Sequence, residues 1–385
     1  MSGTTESNKH LHKSLKFILI IAQVFGFFPV KGILCDYVFS LRYFSISARE
    51  LLSLFVCVIG WLDCLANVRI LINSGFNAHY LNGAVFSFSN ATYFFLFLRL
   101  AREWPKFMKH LVRLENQLFA RYNWPHNFDF NVKLFATIFL CWELVEHVAV
   151  QGNKIIVAIN CKGSFELVIQ HYLKTMGFRQ EFELIHYSHL RGVILQAVNT
   201  CFACCWTYVD LFILLVSYYF TARFKQIRKH VLSLKNDKII SEKEWRDVRE
   251  DHNQLCNICA LFNKKLSSFI LLSVFTNIYY MVFHIFRIVN VKHTTLEFVY
   301  FILSFGLLIS RTIGMCWVGG LLFEETRAFL PALASTPTKM CNIEIDRFIE
   351  EVRCRSIGFT GKKFFTINKL LILKVKPFII FFVKK

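Results

Sequence analysis

The sequence predicts an all-α, polytopic membrane protein with seven transmembrane helices and its N-terminus inside the cell. Two observations carry this prediction. Seven stretches of the 385-residue chain are apolar, each over roughly the 20 residues that a helix needs to cross the hydrocarbon of a bilayer. The Lys and Arg residues between these stretches alternate in density, and that alternation fixes an orientation.

The chain divides into an N-terminal segment, 1–50, and a seven-helix transmembrane domain, 51–383. We expect the N-terminal segment to be cytoplasmic or interfacial. Its apolar part, 17–30, is too short to span, and Gly26 and Pro29 would interrupt a spanning helix. We therefore expect 17–30 to lie at the interface or to re-enter ahead of the first span. The predicted spans are about 51–73, 80–98, 132–150, 191–219, 266–289, 295–323 and 364–383.

The composition excludes several function classes. The chain is 55% hydrophobic and only 18% charged, and its 45 Lys and Arg against 26 Asp and Glu give a net charge of +19. In a soluble protein this charge would suggest nucleic acid, but here the basic residues lie between apolar spans. We therefore expect membrane lipid as a partner and no nucleic acid.

Cysteine and histidine give no sign of a disulfide framework, a metal site or a cofactor. Most of the 13 cysteines fall inside predicted spans, where they serve as small apolar packing residues. Cys256 and Cys259 form a CxxC pair with only His252 at hand, whereas zinc needs four ligands. We predict one face of a cytoplasmic helix there.

The basic loops set the orientation. Lys and Arg are dense in 1–50, 99–131, 220–265 and 324–363 and sparse in 151–190. The positive-inside rule places the dense segments in the cytoplasm, so seven spans leave the C-terminus outside. This orientation is opposite to that of a G-protein-coupled receptor. The chain also lacks Asp-Arg-Tyr at the inner end of its third span and Asn-Pro-x-x-Tyr in its seventh.

One cytoplasmic loop is predicted to be helical. Ser241 and Glu244 form a capping box at the start of 241–268. Apolar residues then recur at helical spacing, which predicts a helix that runs continuously from the cytosol into the fifth span. These residues are Leu255, Ile258, Cys259, Phe262 and Leu266.

The third span carries ionisable residues near its outer end. Glu143, Glu146 and His147 are spaced i, i+3 and i+4, which places them on one helix face. Polar groups in hydrocarbon are costly and are therefore functional candidates. We expect a wet, outward-opening pocket there, the alternative being residues that reach towards the lipid headgroups.

The fourth and sixth spans carry opposite charges at similar depth. Asn199 lies near the outer end of the fourth span, with Trp206 and Asp210 deeper, and Arg311 lies midway along the sixth. A lone charge there would cost about 2.5–3.5 kcal/mol. We expect Asp210 and Arg311 to pair with each other or with pore water, as a structural ion pair rather than as direct ligand contacts.

Aromatic and amide groups elsewhere suit a sugar. The fifth span offers Asn277, Tyr280 and His284, and the sixth begins with Glu297 and Tyr300. Rings can cover the apolar faces of a polyol while polar groups replace water on its hydroxyls. An interfacial aromatic belt is the alternative. No GxSxG, P-loop or HExxH motif is present, so we expect no enzyme.

Several stretches together resemble the insect gustatory receptor family, and within it the sugar-receptor subfamily. The resemblance covers about 17–373, and the order and spacing of the stretches are more specific than any one of them. They are Ala22–Ile33, Leu144–His147, Trp206–Ile227, Val248–Ile258, Ser267–Tyr280, Ser310–Thr312 and Gly358–Leu373.

The resemblance implies a ligand-gated, nonselective cation channel subunit in the plasma membrane of a taste neuron. It implies a homo- or hetero-tetramer with related subunits, intracellular N-termini, a shared pore lined by the last helices, and a sugar pocket in the outer half of each subunit. Candidate ligand-binding residues are then Glu143, Glu146, His147, Asn199, Trp206 and Tyr280.

The last span departs from the family pattern. The family's Thr-Tyr and Gln-Phe are missing, and the chain continues from Leu373 as KVKPFIIFFVKK. Pro377 would kink a helix, and Lys374 and Lys376 would place positive charge beside a cation pathway. We expect either a different gate or a tail that is not native sequence, for example translated intron. The alternatives are a non-conducting or auxiliary subunit and a receptor that signals through G proteins.

Overall fold

The computed structural model describes residues 10–371, apart from 76–77, 120, 162, 236–240, 291–294, 338–341 and 356. Six long helices dominate the described chain. They are α2 (Ala48–Ser74), α3 (Ala78–Phe119), α4 (Phe128–Cys161), α7 (His189–Leu234), α8 (Glu242–Asn290) and α9 (Thr295–Arg327). The shorter helices are α1 (Leu11–Val24), α5 (Phe165–Gln170), α6 (Arg179–Leu184), α10 (Phe329–Ala334) and α11 (Ile343–Cys354), with a 3-10 turn at Val38–Ser40 and a π-helical turn at His171–Gly177. Strands β1 (Thr360–Gly361) and β2 (Phe365–Thr366) pair antiparallel.

The predicted all-α membrane fold is confirmed. Each of the six long helices contains a stretch long and apolar enough to cross a membrane, and each holds one predicted span. Most of these helices are much longer than the spans predicted for them, since they continue beyond the apolar stretch with one face still buried. The location of the N-terminus stays a prediction.

The seventh predicted span begins differently from the prediction. Its first residues form β2, because Lys362 and Lys363 take left-handed backbone conformations (φ 50° and 66°) and turn the chain back on β1. The backbone becomes helical only at 369–371. The rest of that span lies outside the described residues.

Helix α8 starts where the sequence predicts. Ser241 accepts a hydrogen bond from the Glu244 backbone amide at 3.3 Å, as expected of an N-terminal cap. The predicted apolar face of this segment is buried, from Leu255 to Leu266. The predicted continuous helix through 241–268 and on into the fifth span is therefore confirmed.

Helix α7 forms the centre of the bundle. It packs against α9, α8, α3 and α4, and aromatic rings fill the space around its middle. Phe97 of α3 contacts the ring of Phe269 at 4.7 Å and that of Tyr208 at 5.6 Å between centroids. Helix α4 contributes least to the interior, and its exposed apolar face is free to meet lipid or another subunit.

The N-terminal segment is built into the bundle. Helix α1 packs its apolar face against α4 and α7. Gly26, with a φ of 78°, turns the chain at the end of the helix, and Phe27 and Phe28 then enter the core. The interruption expected at Gly26 is present, and one face of the segment packs against the bundle while the other stays exposed. Its expected place at the membrane interface stays a prediction.

A buried carboxylate holds α1 in place. Glu115 of α3 accepts a hydrogen bond from the Leu11 backbone amide at 3.1 Å and another from the Tyr219 hydroxyl at 2.8 Å. The Arg223 guanidinium lies 3.7 Å from the same oxygen, and both charged side chains are buried. A carboxylate at a helix N-terminus also meets the positive end of the helix dipole.

The segment 151–190, which links the third and fourth predicted spans, is mostly helical. Helix α4 continues to Cys161, and the short helices α5 and α6 follow. Leu173, Phe178 and Phe182 form a small separate core, which gives the π-helical turn and α6 a buried side. They pack on α2, α4 and α7 and thus cover one end of the bundle.

Replacing Glu115 should loosen the N-terminal segment. We expect Glu115→Gln to lower the free energy of unfolding by about 3–5 kcal/mol, because it removes the negative charge that faces the buried Arg223 guanidinium. The measurement is the melting temperature of the purified protein. Glu242→Gln is the matched control, since Glu242 is an exposed helix residue whose loss should cost less than about 0.5 kcal/mol. Equal melting temperatures for both variants would contradict this role.

Candidate ligand site

One face of α4 carries polar side chains over about three turns. Glu143, Glu146, His147, Gln151 and Lys154 recur at intervals of three, one, four and three residues, so all five project from the same side. They line a cavity of about 290 Å³, near the lower end of the range of about 300–1,000 Å³ seen for small-molecule sites. The remaining walls are Val150, Asn82 and Phe86 of α3, Asn199, Ala203 and Trp206 of α7, His284 of α8, and Ser304, Leu307, Leu308 and Arg311 of α9.

Trp206 supplies the large aromatic surface of the cavity. Its ring lies 4.5 Å from that of Tyr280 and 4.3 Å from the Arg311 guanidinium. The Trp206 indole N–H is buried and has no hydrogen-bond partner among the described residues. A buried indole N–H normally finds an acceptor, so a ligand oxygen would satisfy it.

The two carboxylates are each fixed by one hydroxyl. Thr207 donates to Glu143 at 2.5 Å, and Ser304 donates to Glu146 at 2.9 Å. A carboxylate has about four acceptor positions, so each keeps capacity for ligand hydroxyls. The Oδ1 atom of Asn82 and the Nδ1 atom of His284 are also buried without a partner in the described chain.

A buried ion pair forms the floor of the cavity. The Arg311 Nε atom lies 2.7 Å from Asp210 Oδ2, and both side chains are almost fully buried. Arg311 also donates from Nη1 to the Thr207 hydroxyl at 2.8 Å and from Nη2 to Asn277 Oδ1 at 3.1 Å. The guanidinium is thus held in a fixed plane by three side chains.

Asp210 is equally well satisfied. Asn277 donates to its Oδ2 at 3.0 Å, and the Ser273 hydroxyl donates to its Oδ1. A continuous polar chain therefore runs from Glu143 through Thr207 and Arg311 to Asp210. It joins α4, α7, α9 and α8.

The structure brings most of the sequence candidates together. Five of the six proposed ligand residues line the cavity, and Tyr280 does not, because it packs behind Trp206. Arg311 pairs with Asp210 and also lines the cavity, so it is not confined to a structural pair. The side chains of Glu297 and Tyr300 lie outside the described residues. The candidates in the cavity are Glu143, Glu146, His147, Asn199 and Trp206.

Sequence reasoning missed several wall residues. Gln151 and Lys154 were missed because the predicted span ended at 150, although their spacing of four and seven from His147 would have placed them on the same face. Asn82 and Ser304 carry no comparable signal in the sequence. Their position depends on how α3 and α9 pack against α4.

A second cavity of about 380 Å³ adjoins the first. The two share Asn82, Phe86 and Asn199 as walls. The far side of the second cavity is formed by α2 and by the outer helix α6, which carries Glu181.

The family assignment follows from the whole length of the chain. The sequence model of the trehalose receptor family matches residues 3–382. The chain belongs to the trehalose receptor family. The resemblance to sugar receptors that the sequence motifs indicate is therefore confirmed, together with a multi-pass plasma membrane location.

Curated relatives of this trehalose receptor family member come from Drosophila melanogaster. Gustatory receptor for sugar taste 64a is 24% identical over 94% of this chain and 80% of its own length. Gustatory receptor 5a for trehalose is 23% identical over 96% of this chain and 84% of its own. These relatives are chemoreceptors, which fits the expectation of a non-enzyme.

The fold matches a solved insect chemoreceptor. The insect olfactory receptor OR5 from Machilis hrabei, in complex with eugenol, superposes with a TM-score of 0.71 over 97% of both chains. A second structure of that receptor gives the same TM-score. The sequence identity is only 12–13%, so the likeness concerns the fold alone.

The ion pair can be tested by removing its partners singly and together. Arg311→Met leaves Asp210 charged and buried, so we expect the variant to lose about 3–5 kcal/mol of stability. Asp210→Leu should lower the stability by a similar amount, because it leaves the buried Arg311 guanidinium without its carboxylate. The double variant should recover part of the loss, since no lone charge remains. The melting temperature of each purified protein reports this, and strictly additive losses would show that the two residues act independently.

Proposed function

We propose that this chain is a sugar receptor subunit that opens a nonselective cation pathway when a sugar occupies the cavity beside Trp206. The observation that carries the proposal is the pairing of an indole face with two partly satisfied carboxylates in one cavity. We further propose that it works as a homo- or hetero-tetramer with related subunits, with its N-terminus in the cytoplasm.

A neutral polyol fits this combination of groups. The C–H face of a sugar ring can lie on the Trp206 ring, while its hydroxyls donate to the free oxygens of Glu143 and Glu146. Asn199 offers both a donor and an acceptor. The names of the relatives, which refer to sugar taste and trehalose, support the same ligand class.

The affinity should be weak. Each hydrogen bond to a sugar hydroxyl replaces one to water, so its net contribution is only about 0.5–1.5 kcal/mol for a neutral partner and about 1.5–3 kcal/mol for a charged carboxylate. Association also costs translational and rotational freedom. A millimolar dissociation constant, about −4 kcal/mol, is therefore the expected scale.

Helix α9 offers a direct route from the cavity to the last span. Below Arg311, the backbones of α9 and the chain leading into that span approach closely. A Cβ atom at Gly319 would collide with the Ile367 side chain, and one at Gly320 would lie 2.8 Å from the Lys369 backbone nitrogen. The Lys369 Nζ atom also lies 2.5 Å from the Oε2 atom of Glu324 on α9. A shift of α9 would therefore move the start of the last span with it.

The gating mechanism we propose is a population shift. A sugar that contacts Glu143 would change the position of Thr207 and, through it, that of Arg311, because hydrogen bonds link these three groups. A sugar that binds one arrangement of this network better than another favours that arrangement by its differential affinity. The close contact at Gly320 then passes the change to the last span.

The sequence of the tail supports a second candidate function. Lys374 and Lys376 lie in the tail beyond Leu373, and positive charge beside a cation pathway opposes conduction. A non-conducting or auxiliary subunit would use the same sugar cavity and leave the pore to its partners. Recording currents with and without a related subunit separates the two candidates.

Changing Trp206 should weaken the sugar response. In cells that express the chain alone or with related subunits, we expect Trp206→Ala to raise the half-maximal sugar concentration at least about tenfold, because the stacking face is lost. Trp206→Phe keeps a ring but loses the N–H donor, so its effect should be smaller. The measurement is whole-cell current across a sugar panel that includes trehalose.

The control for this experiment is Trp142→Ala. Trp142 precedes Glu143 on α4 and is half-exposed on the outer side of the bundle. Its loss should leave the sugar dependence unchanged. No sugar current from the unmutated chain in any subunit combination, or equal effects of the two alanine variants, would overturn the proposed site.

An epitope tag tests the orientation. We expect a tag at the N-terminus to bind antibody only after the plasma membrane is permeabilised, because the basic segments lie in the cytoplasm. A tag placed after Gly163, between α4 and α5, should be accessible on intact cells. The reverse pattern would favour a receptor of the G-protein-coupled orientation.

A further inference from the structure

Two carboxyl groups meet in the second cavity. Asp63 of α2 and Glu181 of α6 both line it and lie within hydrogen-bonding reach of each other. Burial, together with the hydrogen bond to Asp63 and its negative charge, raises the pKa of Glu181 well above its ordinary range. Both side chains are half-buried. Two carboxylates placed this close repel each other, and a cation or a shared proton between them would remove that repulsion.

Two asparagine residues in the wall of the same cavity have an amide oxygen without a hydrogen-bond partner in the described part of the chain. The Oδ1 atoms of Asn67 and Asn82 are buried and have no hydrogen-bond partner among the residues described, and Asn67 is only 1% exposed. The Asn67 and Gln180 amide oxygens both lie where a Cβ atom of Gly83 would project. Because Gly83 has no side chain, these two amide oxygens can lie close together on one side of the cavity.

Nearby charges do not neutralise the pair by direct contact. Arg179 of α6 is paired with Glu183 at 3.3 Å. Arg191 of α7 lines a neighbouring groove together with Asp63 and Glu181, but its guanidinium donates to the His186 carbonyl at 2.7 Å. Lys154 of α4 acts on Glu181 through space but forms no ion pair with a described carboxylate. The donors on Asp63 are neutral: the Ser87 hydroxyl and the Asn67 amide, the latter at 3.1 Å.

We propose that Asp63 and Glu181, with the amide oxygens of Asn67 and Asn82, bind a calcium ion. Carboxylate and amide oxygens are the ligands that Ca²⁺ takes, in flexible sets of six to eight that include water. Softer metals prefer nitrogen and sulfur ligands, which this group of four residues lacks. An ion bound between α2 and α6 would hold α6 against α2, next to the wall that the two cavities share.

The location sets the expected affinity. The orientation that forms part of the proposed function places this cavity at the extracellular side, where calcium modules bind with dissociation constants of about 10⁻⁴–10⁻³ M. The ion would rest on a wall that includes Asn82 and Asn199, which also line the sugar cavity. Calcium would thus stiffen one side of the ligand site.

The test uses the purified full-length protein in lipid nanodiscs, without sugar and without current measurement. We expect its melting temperature to rise by about 2–4 °C between a calcium-chelated solution and several millimolar CaCl₂. Asp63→Asn and Glu181→Gln should each abolish this rise. Both replacements keep the size of a neutral acid, so the fold should be retained. Glu183→Gln, an exposed change on the same helix, should leave the rise intact.

Three results would overturn the calcium site. The first is a melting temperature of the unmutated protein that does not change when calcium is added. The second is a calcium-dependent rise that persists in both Asp63→Asn and Glu181→Gln. The third is stability that falls equally with and without calcium as the pH rises through the raised pKa of Glu181, which would identify a shared proton instead. Because sugar is absent from this assay, none of these results bears on sugar gating.

Discussion

The ion pair of Asp210 with Arg311 is the constraint on which the rest of the bundle depends. Both charges lie in the apolar centre, where neither could remain without its partner. Their hydrogen bonds to Thr207, Ser273 and Asn277 fix the rotation of α7, α8 and α9 relative to one another. A rotation of any one helix about its axis would remove a partner from a buried charge. Aromatic side chains around α7 fill the remaining space between the helices.

A buried ion pair is a weak argument for stability, since apolar residues of similar volume often do as well or better. Its value here lies in its position. Arg311 forms the floor of the ligand cavity and stacks on Trp206 while it holds Asp210. The same guanidinium therefore lines the cavity and takes part in the packing of three helices. A change at the cavity would alter this packing, which the proposed gating by a ligand requires.

The sequence predicts the helices and their polar faces well and predicts their neighbours poorly. Helical spacing is sufficient to place Glu143, Glu146 and His147 on one face, and the shared depth of Asp210 and Arg311 is sufficient to suggest a pair. Tyr280 shows the limit: its depth and polarity match those of the other candidates, but its direction on α8 places it behind Trp206. Asn82 and the cover formed by α5 and α6 depend on contacts between distant segments, which no local pattern encodes.

The low identity to the solved olfactory receptor defines what the fold can and cannot specify. At 12% identity and a TM-score of 0.71, the two proteins share helix order and packing, which need only the spacing of apolar residues. A eugenol-binding receptor and a sugar receptor require opposite cavity chemistry, so the fold cannot select the ligand. Under the proposed function, ligand selection in this chain falls to a few polar groups that apolar packing does not require: the carboxylates of α4, the indole N–H of Trp206 and the Arg311 guanidinium beneath them. These groups are costly to bury, and their presence together at one cavity is the strongest physical argument that the cavity binds a polar ligand.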